Sequence, residues 1–322
     1  SAEAMETGRR ASGSVLRALM TPAAPEISII VPVRFARQTI NSTLKALLEQ
    51  CEGIAAEIIA VVSSTDPTRE ALRELACDPK LRIIEMPGRR SVPELRGEGV
   101  RLSRGKLIAI TEDHCSFPPG WAAGMIDAHR TREIAAVGGP VENGRAGGCL
   151  DWAIYFSRYL GSMPPLDSGP AASLPGNNAC YKREALERCA PLLAGGFWEN
   201  DVNRELLALG YILWLDPRLT VIHRKPYRFA PYLALRYRHA RCFGGMIART
   251  LTGFGRMRRI LFSPLIPALL MLRSMRLIQA KKRRRREFLV ASPALLLCYL
   301  VWFWGEVAGY IAGAGAACSE TD

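Results

Sequence analysis

The chain has 322 residues, 49% hydrophobic and 23% charged, with a formal net charge of +13 at neutral pH. That balance excludes a disordered or low-complexity chain and leaves room for one large domain with an appendage. Nine cysteines occur without a C-x-x-C pair, so neither a disulfide framework nor a zinc site is expected and the thiols read as small buried residues.

Residues 1–24 are expected to form a mobile segment with a short helix over Val15–Met20, and they lack the sustained apolar core of a secretory signal. Glu26–Val33 (EISIIVPV) reads as a buried strand interrupted by Pro32, and Thr39–Gln50 has the alternation of an amphipathic helix. A second pair follows: Glu57–Val62 (EIIAVV) enters Ser63-Ser64-Thr65-Asp66-Pro67-Thr68, whose hydroxyls and carboxylate suit the start of a helix near Arg69–Ala76. Leu81–Glu85 and Lys106–Ile110 add two more strands. Strands alternating with helices predict an α/β fold with a mostly parallel sheet, and ligands in such sheets bind beyond the carboxyl ends of the strands.

Glu112-Asp113-His114 stands at such an end. Carboxylate and imidazole together suit Mg²⁺ or Mn²⁺, which would hold a diphosphate and neutralise a departing phosphate. No G-x-G-x-x-G or G-x-x-x-x-G-K-[ST] follows any of these strands, so dinucleotide and P-loop chemistry are disfavoured and phosphate must be held by metal or arginine. Trp152, Tyr155, Phe156 and Tyr159 recur at helical spacing, which suits a buried face better than an aromatic acceptor platform.

Charge divides the chain. Residues 1–223 carry 25 Lys and Arg against 26 Asp and Glu, whereas Arg224–Arg286 carries 18 basic and no acidic residues. Those arginines interleave with Tyr227, Phe229, Tyr232, Tyr237 and Phe243, as expected of helices binding membrane phospholipids and not of a nucleic-acid arm. Ile260–Leu272 is too short to span a bilayer and reads as interfacial, unless it extends to Ile278. Phe288–Gly313, preceded by Lys281–Arg286, reads as a transmembrane helix whose amino end is cytoplasmic. Its one ionisable residue, Glu306, falls near Trp302, Trp304 and Tyr310, at the far interface. The expected divisions are a catalytic domain over 25–225, membrane-associated basic helices over 226–286, a transmembrane helix over 287–315 and a tail over 316–322, with the catalytic domain on the cytoplasmic side of an inner (plasma) membrane.

Over roughly Pro25–His223 the chain resembles the family 2 glycosyltransferases, inverting enzymes of the GT-A fold. The resemblance rests on the strand carrying Pro32, the Ser64-Thr65-Asp66 turn, Leu95-Arg96-Gly97-Glu98-Gly99-Val100, Glu112-Asp113-His114 where the family has Asp-x-Asp, Pro119-Gly120-Trp121, and Gly176-Asn177-Asn178 through Leu186. It implies a nucleotide-sugar donor, a UDP-sugar first, bound by Pro32, Asp66, Arg96, Glu112 and Asp113. It implies a divalent ion held by Asp113 in first place and His114 in second, with His223, and an acceptor side at Asn177, Asn178 and Trp198. It places the catalytic base in Phe197–Asn203, with Asp201 preferred and Glu199 competing. Two departures stand out: Val62 occupies a position where many relatives carry an acid, which shifts base recognition toward Asp66, and the metal motif lacks its second aspartate. With a membrane-bound chain, the acceptor is expected to be a lipid or lipid-linked glycan, a polyprenyl phosphate being the alternative, and a catalytically silent scaffold the further one.

Overall fold

The computed structural model describes residues 24–320 apart from Ala76 and Ala146; the short helix expected at Val15–Met20 lies outside them. Strands β1 (Ile27–Val33), β2 (Ala56–Ser63), β3 (Leu81–Met86) and β4 (Leu107–Ile110) pair in parallel in the order β3-β2-β1-β4. Helices α1 (Ile40–Gln50), α2 (Arg69–Arg73) and α3 (Val92–Leu102) connect them. Beyond β4 the sheet is mixed, because β9 (Ala179–Lys182) pairs antiparallel with both β4 and β6 (Ala136–Gly138), and β10 (Leu213–Leu215) and β8 (Gly169–Pro170) close the edge. The sheet is thus continuously parallel in its first half and mixed in its second, where β6 and β10 form a further parallel pair. A separate sheet of β5 (Cys115–Ser116), β11 (Val221–His223) and β7 (Val141–Asn143) sits past the end of β4.

Two cores follow from the period of two along β1. Ile27, Ile29, Val31 and Val33 pack with Ile40, Leu44 and Leu47 of α1 and with Trp121 and Met125 of α4 (Trp121–Thr131), whereas Ile30 faces Leu95 and Val100 of α3. A capping box starts α3, with Glu94 accepting from the Ser91 N–H at 2.8 Å. A Cβ on Gly99 of α3 would lie 2.3 Å from the Ile30 side chain, so only glycine lets this helix press onto the sheet. That close seat directs Arg96 of α3 toward the strand ends.

Helix α5 (Cys149–Tyr159) buries Trp152, Tyr155, Phe156 and Tyr159, as its spacing predicts, and the partner surface is α12 (Arg285–Ala312), through Phe288, Ala291, Leu295 and Tyr299. Helices α6 (Arg183–Arg188), α7 (Ala190–Leu193) and α8 (Glu199–Ala208) precede β10. The chain then runs through α9 (Phe229–Ala248), α10 (Gly253–Phe262) and α11 (Ile266–Lys281). A 3₁₀ turn at Ser263–Leu265 joins α10 to α11, so the apolar segment that looked too short becomes part of a 29-residue helical run. That run and α12 are both long and apolar enough to cross a membrane, by length and composition.

Both flanks of α12 lie against the catalytic domain. At its amino end Lys281 donates to Pro165 O at 3.0 Å and Arg283 pairs with Glu142 at 2.7 Å. Past its carboxyl end, Cys318 and Ser319 line one cavity with Met86 and Arg90 of the catalytic domain. Both ends therefore have neighbours in the same domain. Helix α12 crosses α9 at backbone contact, since a Cβ on Gly305 would lie 2.4 Å from Tyr237 O and one on Gly309 2.4 Å from Arg241 O. Cys242 of α9 is disulfide-bonded to Cys318, with Cα atoms 4.9 Å apart, a single bond that the spacing does not indicate; Cys51, Cys115, Cys180, Cys189 and Cys298 are buried and free, and Cys77 and Cys149 are exposed.

Candidate active site

Because β4 lies in register beside β1 (Ile110 opposite Ile30), Glu112-Asp113-His114 emerges next to the end of β1. There Arg34 N donates to Asp113 Oδ2 at 2.7 Å, and Asp113 Oδ1 lies 2.6 Å from His114 Nδ1. Asp113 is 3% exposed. Each of its oxygens meets one neighbour, so Asp113 orients the His114 imidazole, a carboxylate–histidine arrangement, and keeps further lone pairs for a cation.

His114 Nε2 consequently points into the site. It lies 3.0 Å from Glu112 Oε2 without hydrogen-bonding alignment, and it has no hydrogen-bond partner. The ring of His223, on β11 opposite Cys115, stands edge-on to His114 with centroids 4.5 Å apart, and its Nε2 is also buried without a partner. Burial disfavours charge on His114, but the hydrogen bond to Asp113 and the adjacent Glu112 carboxylate outweigh it and raise its pKa. Burial, then the neighbouring His114, holds His223 well below the usual histidine range. Burial would raise the Glu112 carboxyl, but His114, Arg96 and Arg158 together hold it well below the usual carboxylate range.

Glu112, His114 and Cys115 bring donor atoms within 4.8 Å of one another. Burial raises the pKa of the Cys115 thiol. Glu112 and His114 fit a divalent ion, with Cys115 in the same cluster and the unpartnered Nε2 of His223 on the ring beside it, and carboxylate with imidazole suits Mn²⁺ better than Mg²⁺.

Arg96, 5% exposed, links two carboxylates: Nη2 donates to Glu112 Oε1 and Nη1 to Glu199 Oε2, each at 3.0 Å. Glu112 and Glu199 line a cavity of about 480 Å³ together with Tyr159, Asn177, Asn200 and Arg158. A narrow cleft between Pro32, Arg34, Val92, Asp113, Arg158 and Lys225 leads to the same groups from the other side. A larger cavity of about 680 Å³ lies apart from these groups, between α3, the 190–198 segment and the tail.

The structure reorders several expectations. Asp201, the preferred base, faces outward and accepts from Arg204 at 2.7 Å on the surface, because it sits two residues further along α8 than Glu199, which alone of the two lines the cavity. Asn178 is fully buried, accepting from Trp121 Nε1 at 3.0 Å and donating to Pro140 O and Leu219 O, so it braces the fold and does not meet an acceptor. Asn177 does line the cavity, with neither amide atom hydrogen-bonded. Trp198 lines the larger, separate cavity instead. Asp66 accepts from Phe35 N and Thr68 N, both at 2.8 Å, and shapes the loop after β1 without an oxygen left for a base. Pro32 borders the cleft.

Sequence reasoning missed Arg158, which borders both the cleft and the cavity, as well as Lys225, and Arg236, His239 and Trp302 from α9 and α12. Arg158 had a signal: a cation embedded in the aromatic run Tyr155-Phe156-Ser157-Arg158-Tyr159. The others are joined to the site only by tertiary packing.

A mixed sheet with helices on both faces, carboxylates and imidazoles past the ends of its parallel strands, and a cationic cleft beside them define the GT-A class of sugar-nucleotide transferase folds. Residues 28–189 match the family described as Glycosyl transferase family 2, about half of the chain, and the chain belongs to that family of glycosyltransferases. Among solved structures it is similar to the mannosyltransferase PcManGT from Pyrobaculum calidifontis in complex with GDP-Man and Mn²⁺, at 21% identity and a TM-score of 0.53, covering 94% of this chain and 91% of that one. It is also similar to GalNAc-T7 with UDP, GalNAc and Mn²⁺, at 12% identity and a TM-score of 0.50, covering 62% of this chain and 44% of that one. No curated protein matches the chain in sequence.

Proposed function

We propose that the protein is a metal-dependent inverting glycosyltransferase that moves a sugar from a nucleotide-diphosphate sugar to a lipid or lipid-linked glycan at a membrane surface. The observation that carries this reading is the Glu112–Arg96–Glu199 bridge, which sets a carboxylate on each side of a guanidinium at the meeting of cleft and cavity. The donor occupies the cavity of about 480 Å³, its diphosphate toward Arg158, which borders both cavity and cleft. Glu199 takes the proton of the acceptor hydroxyl as that oxygen attacks the sugar from the face opposite the departing diphosphate. Arg96 fixes the Glu199 carboxylate in its rotamer. A divalent cation held by Glu112, His114 and His223 would supply charge neutralisation for the leaving diphosphate. A UDP-sugar is the first donor expected and GDP-mannose the second, the similar structures having been solved with either nucleotide type.

Membrane association rests on the two long apolar helices and on the exposed Phe254, Met257, Leu261, Phe262, Leu265 and Leu269 of the 253–281 run, interspersed with arginines. We place α12 in the inner membrane as a span, with the catalytic domain on the cytoplasmic side. The test is release of nucleoside diphosphate from UDP- and GDP-sugars by the full-length protein with Mn²⁺ and a lipid extract. Release from one donor, abolished by Glu199→Gln, supports the reading. Saturable nucleotide binding with no release from any donor, given extracts from several sources, would replace it with a catalytically silent scaffold.

A further inference from the structure

Glu306 is the one ionisable residue in the apolar run Phe288–Gly313, and it is 5% exposed. It sits where α12 presses on α9: a Cβ on Gly244 of α9 would lie 2.4 Å from Glu306 O. Burying a carboxylate costs more than burying an apolar side chain of the same size, so helix packing alone gives no reason for an acid at this position.

The carboxylate is taken up by its own face of the helix. Trp302, Glu306 and Tyr310 recur every four residues and so share one side of α12. Trp302 Nε1 donates to Glu306 Oε2 at 2.9 Å, and the Tyr310 hydroxyl donates to Glu306 Oε1. Of the two donors, Trp302 leads to the chemistry, because it lines the cavity of about 480 Å³ that Glu112 and Glu199 border. Arg236 of α9 lines the same cavity, with its guanidinium over the Trp302 ring at 4.3 Å. Among the described residues Arg236 forms no ion pair, so the ring is its principal support. An indole that donates to a carboxylate carries more negative charge on its face, which strengthens its attraction for a cation. Glu306, Trp302 and Arg236 therefore form one stack in which the buried charge at 306 acts on the guanidinium through the ring.

We infer that Glu306 is a positioning residue for the transferase cavity: it fixes the Trp302 indole, and through the indole the Arg236 guanidinium, as a wall against which the nucleotide sugar is seated. This rests on the proposal that the donor occupies that cavity. It gives a part in donor binding to an acid outside the 28–189 segment that matches the family. Glu306 itself takes no part in proton transfer.

The test compares Glu306→Leu, Glu306→Gln, Arg236→Gln and the double variant Glu306→Leu with Arg236→Gln, in the full-length protein in detergent or nanodiscs. The readouts are nucleoside diphosphate release and direct binding of UDP- and GDP-sugars. Glu306→Leu should raise KM for the donor about tenfold, the scale of one charge-assisted hydrogen bond, with kcat kept within about threefold. Glu306→Gln retains an acceptor for Trp302 Nε1 and a donor for the Tyr310 oxygen, and its KM should stay within about threefold of wild type. Arg236→Gln should match Glu306→Leu, and the double variant should be no worse than either, since both changes break one stack. An unchanged donor KM in Glu306→Leu overturns the inference. So does a double variant whose losses multiply, the outcome of a purely structural role at 306. Where Glu306→Leu does not fold, Trp302→Phe paired with Arg236→Gln makes the same comparison, with the same two overturning results. Wild type that binds a nucleotide sugar but releases no diphosphate counts against the transferase reading, and donor affinity then carries the comparison in place of KM. No nucleotide-sugar binding by wild type overturns both.

Discussion

Arg96 Nη1 stands 3.0 Å from Glu199 Oε2, across 103 residues of chain, while its other terminal nitrogen holds Glu112. One buried guanidinium on α3 thus ties the end of β4 to the start of α8. Glu112 and Glu199 border one cavity, so without the cation their charges would face each other in a low-dielectric setting. Removing one partner of a buried ion pair costs about 3–5 kcal/mol. The Glu199 side chain is 28% exposed, which screens part of that, so Arg96→Gln should destabilise by about 3 kcal/mol, toward the low end of that range. The check is the urea midpoint of the full-length protein in detergent, and a shift below half a kcal/mol would mean that the bridge contributes little.

The two acidic residues of α8 give opposite predictions. Glu199 faces the cavity and Asp201 faces solvent with Arg204. Loss of a general base lowers turnover by about 10²–10⁴-fold. Glu199→Gln is therefore expected to lose at least a hundredfold in kcat with nucleotide affinity kept, and Asp201→Asn to stay within about threefold, an exposed pair of this kind being worth under about 1 kcal/mol. Turnover assays on the two variants decide the matter, and the reverse ranking would restore Asp201 as the base.

These two residues also show where the sequence stops being informative. The strand-and-helix pattern of 27–110 could be read because β1, β2 and β4 are continuous buried runs and α1 is amphipathic. The location of the chemistry could be read too, since polar residues just past an apolar strand have one place to go in such a sheet. Which carboxylate of Glu199-Asn200-Asp201 points inward depends on where α8 begins, a matter of one or two residues that spacing does not determine. Asp66, Asp113 and Asn178 are all polar residues in motif positions, yet each is consumed by backbone or neighbouring side chains that arrive from other segments. The placing of the tail beside the catalytic domain, and of Arg236 and Trp302 on the cavity wall, rests on glycine contacts between α9 and α12.

Metal affinity should separate direct ligands from the residue that orients them. His114→Ala and His223→Ala each remove one of the orphaned nitrogens, and Asp113→Asn leaves both in place while weakening the hold on the His114 ring. An orienting partner is worth about 10–100-fold in metal affinity. Titration of Mn²⁺ followed by electron paramagnetic resonance should therefore show weak or no binding in the histidine variants and a loss of about 10–100-fold in Asp113→Asn. Unchanged Mn²⁺ binding in His223→Ala would remove it from the ligand set.

The last prediction concerns a histidine away from the chemistry. His129, on α4, is 8% exposed; its Nε2 lies 3.2 Å from Cys180 O, and its Nδ1 has no partner. Burial lowers its pKa from 6.5 to about 4, so the folded state keeps it neutral where the unfolded chain would protonate it. For a depressed folded value the stabilising contribution is complete above pH 6.5 and is lost as pH falls toward 4, because the unfolded state binds the extra proton throughout that window. At 1.36 kcal/mol per pKa unit the loss approaches about 3 kcal/mol. Burial would raise the Glu57 carboxyl, but bonds from Ser28, Arg82 and the Arg104 backbone outweigh it and hold it below 4.5, so its own share is lost only under that pH. His223 adds to the wild-type slope between pH 6.5 and 4, which makes the difference between wild type and His129→Gln the proper readout. Gln retains a donor for Cys180 O and does not titrate. Urea unfolding at half-unit steps of pH should show wild type losing about 3 kcal/mol more than His129→Gln across that window. Parallel curves would mean that the ring is already reached by water in the folded state.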